Sequence, residues 1–129
     1  VVLLPMYKGG RPTSFRALKL PVIPNGSLFF PGSFNPPHKG HIALAKAAVR
    51  SAVNKGFSTR HDVKPIFMEL SLTNADKPPI DPETVSERVH KFLELDDLPE
   101  QWGIILTRAP LFLQKVSSLQ ACVADTTVD

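Results

Sequence analysis

Two histidines three residues apart, in His38-Lys39-Gly40-His41, carry the clearest chemistry of this 129-residue chain. Side chains at that spacing share one face of a helix, and each imidazole can donate an N–H to an anion. The residues before them favour such a ligand. From Ser27 to Ala48 the chain reads as a short apolar strand (Leu28, Phe29, Phe30), a loop of Pro, Gly, Ser and Asn, and a helix opening at the histidines. A strand, a Gly-containing loop and a helix N-terminus bring unpaired N–H groups and the positive end of the helix dipole together. Two imidazoles at that spot predict a phosphate undergoing chemistry. The alternatives are two exposed helix-start residues or two ligands of a metal ion. For a metal, no third ligand is recognisable nearby.

The elements that must position these groups follow from periodicity. A helix is predicted from Lys39 to Asn54, with Ile42, Ala45, Val49, Ala52 and Val53 on one face, ending near Gly56. Val63–Leu72 reads as a second strand and Thr73–Ile80 as a loop. Asp81 as N-cap, Pro82 at the first helical position and Glu83 in the first turn open a helix with Val85, Val89, Phe92 and Leu93 inward. Trp102–Thr107 is a third strand without polar alternation, so it is expected to be covered on both faces. Arg108-Ala109-Pro110 is expected to open a further helix. Alternating strands and helices predict an α/β, Rossmann-like parallel sheet with flanking helices. Residues 1–26, with four prolines and three glycines, read as an extended basic lead-in, and 27–129 as the domain.

Charge is divided along the chain. Residues 1–61 hold nine Lys and Arg and no acid, whereas residues 62–129 hold six basic and twelve acidic residues. An acid-free half is a poor home for a metal cation and suits a polyanionic small ligand. A nucleic-acid footprint is disfavoured, because no Lys/Arg cluster has interleaved aromatics. No apolar run approaches membrane-spanning length. Cys122 is the single cysteine, which fits a reducing compartment and a cytoplasmic protein, with nuclear or organellar locations open. An oligomer is compatible with the sequence. His61 and His90 match no motif.

Gly32-Ser33-Phe34-Asn35-Pro36 followed by His38-Lys39-Gly40-His41 resembles the signature of the HxGH nucleotidylyltransferase superfamily. Its members include nicotinamide-nucleotide (NMN) adenylyltransferases, phosphopantetheine adenylyltransferase and cytidylyltransferases. The resemblance spans roughly residues 27–126 and implies transfer of AMP from ATP, with Mg²⁺, to a phosphate-bearing acceptor, NMN being favoured by Asn35 and the Asn74–Pro79 loop. It implies that His38 binds triphosphate oxygens, that His41 stabilises the transition state, and that Gly32, Ser33, Phe34, Asn35 and Gly40 line the phosphate and nucleotide site. It implies further that Lys77 and Arg88 approach the substrates. Trp102 is weighed between stacking on a base and core packing. Ala124-Asp125-Thr126 faintly matches a fourth-strand run whose leading Gly is Val123 here. The family's later I-S-T/S-x-x-x-[KR] motif is absent, so a shortened chain with three to four strands is expected, either a fragment or a nucleotide-binding module with impaired catalysis.

Overall fold

In a computed structural model, residues 1–18, 23–73, 80–108 and 123–124 are described. Among the described residues seven strands and two helices follow in the order β1 (Val2–Lys8), β2 (Arg11–Leu18), β3 (Ile23–Pro24), β4 (Leu28–Pro31), α1 (Lys39–Asn54), β5 (Ile66–Ser71), α2 (Pro82–Phe92), β6 (Trp102–Thr107) and β7 (Val123–Ala124). The main sheet has the order β2-β1-β6-β5-β4. Strands β4, β5 and β6 are mutually parallel, with Leu28 opposite Ile66 and Ile66 opposite Trp102. This is an α/β Rossmann-like arrangement.

Two expectations are corrected. Residues 2–18 are extended, but they do not run over the surface as a lead-in. They form a hairpin whose strand β1 pairs antiparallel with β6 at Val2–Ile105 and Leu3–Ile104, so the sheet is mixed rather than wholly parallel. The turn is Gly9-Gly10, with φ of 67° and 83°; two left-handed residues give the twist that a two-residue hairpin needs. Pro5, opposite Phe15 of β2, lies beyond the Val2 and Leu3 pairs with β6, so its missing N–H breaks no bond on the β6 side. The second correction concerns the fourth strand. Val123–Ala124 pairs parallel with Ile23–Pro24 in a separate two-stranded sheet and does not widen the main one. The helix expected from Arg108 onward lies mostly outside the described residues.

Alternation along the central strands divides the core. Ile66, Met68 and Leu70 of β5 and Trp102 and Ile104 of β6 pack with Ile42 and Ala45 of α1 and Val89 and Phe92 of α2. Phe67 and Ile105 point to the opposite face and pack with Val2 and Ile23. Both helices therefore cover one face, and β6 is buried from Trp102 to Ile105 as its unbroken apolar run predicts. The helix α2 begins as expected: Asp81 accepts the Thr84 N–H at 2.8 Å, with Pro82 at the first position.

Candidate phosphate-binding site

The loop from Gly32 to His38 leaves the carboxyl end of β4, anchored where the Gly32 N–H donates to the Glu69 carbonyl at 3.1 Å. Ligands of open α/β sheets bind at that end of the strands. His38 is the N-cap of α1. Its Nδ1 accepts the Gly40 N–H at 3.0 Å, while Nδ1 of His41 accepts the His38 N–H at 3.0 Å. This is a capping box written with imidazoles in place of the usual hydroxyl and carboxylate. It has a chemical consequence. An Nδ1 that accepts a hydrogen bond carries no proton, so each neutral ring holds its proton on Nε2, away from the backbone.

The two rings lie 3.9 Å apart between centroids at 31°. His41 titrates below the ordinary 6.5, first through burial and then through the charge of His38. The burial has a visible source. Phe34 meets the His41 ring edge-on at 4.9 Å and Phe30 does so at 6.0 Å. At neutral pH His41 is thus an uncharged donor.

Two glycines make this packing possible. A Cβ on Gly40 would lie 2.8 Å from Cε1 and 3.0 Å from Nδ1 of His38, so the ring folds over the helix start only because Gly40 has no side chain. A Cβ on Gly32 would lie 3.0 Å from the Phe34 ring. Phe34 itself has φ of 47°, a conformation that costs a bulky residue about 1–2 kcal/mol. It is 2% exposed, in a loop where Ser33, Asn35 and Pro36 are exposed.

Some N–H groups remain for a ligand. Those of Ser33, Phe34 and Lys39 meet no acceptor among the described residues, whereas those of His38 and Gly40 are taken by the imidazoles. Arg88 reaches the loop from α2, its Nη1 donating to the Ser33 carbonyl at 3.4 Å. Its Nε is buried and unbonded, and it forms no salt bridge among the described residues. The fold therefore brings Gly32, Ser33, Phe34, Asn35, His38, Gly40, His41 and Arg88 to one place. Lys77 lies outside the described residues. Its loop departs beside the Ile80 N–H to Leu72 carbonyl bond (3.0 Å), at the carboxyl end of β5.

Trp102 is not brought there. It starts β6, at the opposite end of the parallel strands, and is 3% exposed. Its ring packs on Phe15 and Phe92, and its indole N–H donates to the Tyr7 hydroxyl at 3.0 Å. Core packing wins over base stacking because the N-terminal hairpin, unforeseen in the sequence, covers it. Another feature missed was Glu69, 1% exposed, which accepts the Thr107 hydroxyl across β5 and β6. A lone acid inside an apolar strand (Ile-Phe-Met-Glu-Leu) is the signal that marked it. A cavity of about 690 Å³ lies between α2 and the hairpin, lined chiefly by Leu3, Phe15, Val85, Val89 and Leu106, and includes neither His38 nor His41.

Among the described residues no three metal-ligating side chains cluster, and no helix is long and apolar enough to cross a membrane. No curated protein and no solved structure matches the chain. Residues 29–64, which take in most of β4, the Gly32–His38 loop and α1, match the cytidylyltransferase-like family, and that similarity supports nucleotidyl transfer as the general chemistry.

Proposed function

We propose that the chain is an adenylyltransferase domain that transfers AMP from ATP to a phosphate-bearing acceptor, NMN in the first instance, giving NAD and pyrophosphate. The observation that carries this reading is the pair of adjacent, Nδ1-capped imidazoles whose Nε2 atoms are left out of the cap at the start of α1. In such a transfer an acceptor phosphate oxygen attacks the α-phosphorus. The bond from that phosphorus to the bridging oxygen breaks, and its electron pair leaves with pyrophosphate. The nucleophile is already an anion, so no proton has to be removed and neutral donors suffice. Catalysis is then positioning and charge stabilisation.

His38 Nε2–H holds triphosphate oxygens, and His41 Nε2–H donates to the α-phosphoryl oxygens as charge builds in the transition state. The N–H groups of Ser33 and Phe34 hold the acceptor phosphate, and Arg88, with a guanidinium free of carboxylates among the described residues, adds a cation beside them. Lys77, by resemblance, approaches the acceptor from the neighbouring loop. Mg²⁺ enters with ATP as the counter-ion of its phosphates and supplies charge neutralisation there.

The description of the matched family favours a second reading, transfer of CMP from CTP, and pantetheine phosphate is a further acceptor of the same chemistry. Pyrophosphate release with Mg²⁺, measured for ATP and CTP against NMN and phosphopantetheine, separates these. ATP binding without pyrophosphate from any pair would replace the enzyme with a nucleotide-binding module.

A further inference from the structure

We infer that the side chain of Phe34 is a positioning residue for His41: its ring packs edge-on against the imidazole, sets its plane and excludes water from that side. This goes beyond the backbone N–H of Phe34 as a phosphate ligand, and its catalytic part rests on the reading of His41 given above. Four observations converge on it. Phe34 is the buried residue of an otherwise exposed stretch, Ser33–Pro36. It is held in the left-handed region at φ 47°, where a bulky side chain persists only when its surroundings impose it. Its ring meets Phe30 at 5.4 Å, Phe92 at 5.2 Å and His41 at 4.9 Å, each edge-on. Gly32 is bare where a Cβ would strike that ring.

The geometry makes the imidazole the third side of an aromatic triangle with Phe30 and Phe34. The His38 ring lies 3.9 Å from the imidazole at 31°, and the His41 Nδ1 is tied to the His38 N–H. With Nδ1 taken by the backbone, Nε2 is the ring nitrogen left to a ligand. The titratable groups facing His41 are His38 beside it and, beyond the Ser33 carbonyl, Arg88 of α2. No carboxylate among the described residues bonds either imidazole. Apolar enclosure by Phe34 is therefore the removable part of what holds His41 neutral.

The test compares Phe34→Leu with Phe92→Leu, which removes a ring from the same cluster without touching His41. Histidine titrations followed by NMR read the His41 pKa, and steady-state kinetics with ATP, Mg²⁺ and NMN read kcat and KM. The expected result is a His41 pKa raised toward 6.5 in Phe34→Leu, with kcat lowered roughly tenfold or more and KM little changed. Phe92→Leu should lose stability while leaving the His41 pKa in place. An unmoved His41 pKa in Phe34→Leu, or an equal shift in Phe92→Leu, overturns the inference. Should Phe34→Leu not fold, the wild-type protein decides. Ring-to-ring nuclear Overhauser contacts between Phe34 and His41, with the Nε2–H tautomer, support the inference, and their absence refutes it. These NMR readouts stand even if no turnover is found, so failure of the enzymatic reading is distinguishable from failure of this one.

Discussion

His38 and His41 cap the same helix turn reciprocally, each through its Nδ1: His41 accepts the His38 N–H at 3.0 Å and His38 accepts the Gly40 N–H at 3.0 Å. One pair of side chains thus closes the helix start and leaves two Nε2–H donors out of the cap. Structure and chemistry share the same atoms, and substitutions can separate them.

His38→Asn retains a side-chain oxygen able to cap, whereas His38→Ala does not. The alanine variant should lose about 1 kcal/mol of stability and the asparagine variant close to none. Both remove the Nε2–H donor and should lose on the order of 10²–10³ in kcat. Urea unfolding alongside pyrophosphate release checks the pair. Equal destabilisation in the two would show that the cap does not matter.

Acidification should weaken the fold through His41. Its folded pKa lies below the ordinary 6.5, so below that value the unfolded chain binds the proton more readily than the folded one. Stability contributed by neutral His41 is present above 6.5 and is lost as pH falls through the folded pKa. The urea midpoint of the wild type should therefore fall on going from pH 7.5 to 5.5, and the fall should be smaller in His41→Asn. Identical pH slopes would exclude His41 as the group responsible.

Gly40→Ala places a methyl 2.8 Å from Cε1 of His38. The helix itself gains from alanine, by up to about 1 kcal/mol, yet the His38 ring must leave its cap. Helicity by circular dichroism should persist while ATP affinity and kcat fall. Unchanged affinity would mean that the capped ring is not the binding conformer.

Trp102→Phe removes the hydrogen bond to Tyr7 and part of a buried ring. A loss of about 1–2 kcal/mol is expected, with nucleotide KM unchanged. A raised KM at unaltered stability would restore Trp102 to the ligand site.

Arg88→Gln should weaken binding of ATP or acceptor about tenfold, the worth of one charge-assisted contact. Isothermal titration with each ligand separately identifies which phosphate the guanidinium serves, and no change with either would leave it a loop brace on Ser33.

Much of the fold was legible in the sequence because it is written in local chemistry. The bounds of α1 and β6 follow from apolar period and flanking residues, and the start of α2 from Asp81 and Pro82. The N-terminal hairpin was not read, although Gly9-Gly10 between extended runs is its signal, because four prolines argued for an unpaired arm. For Pro5 and Pro12 tolerance depends on which positions pair across the ladder, a matter of register that no local pattern carries. The reciprocal cap has the spacing of a capping box, yet histidine is an uncommon cap, and the direction of Nδ1 is set only once the helix exists.

By itself the sequence determined the strand–loop–helix unit around Gly32–His41, since a loop of Gly, Ser, Asn and Pro between an apolar strand and an amphipathic helix has few other conformations. Tertiary structure alone decided three things: that Arg88 meets the Ser33 carbonyl, that Trp102 is enclosed by Phe15 and Tyr7, and that Phe34 turns inward against His41. Each is a contact between distant elements or a choice between two faces. Burial of apolar surface settles such choices only when the whole sheet has assembled.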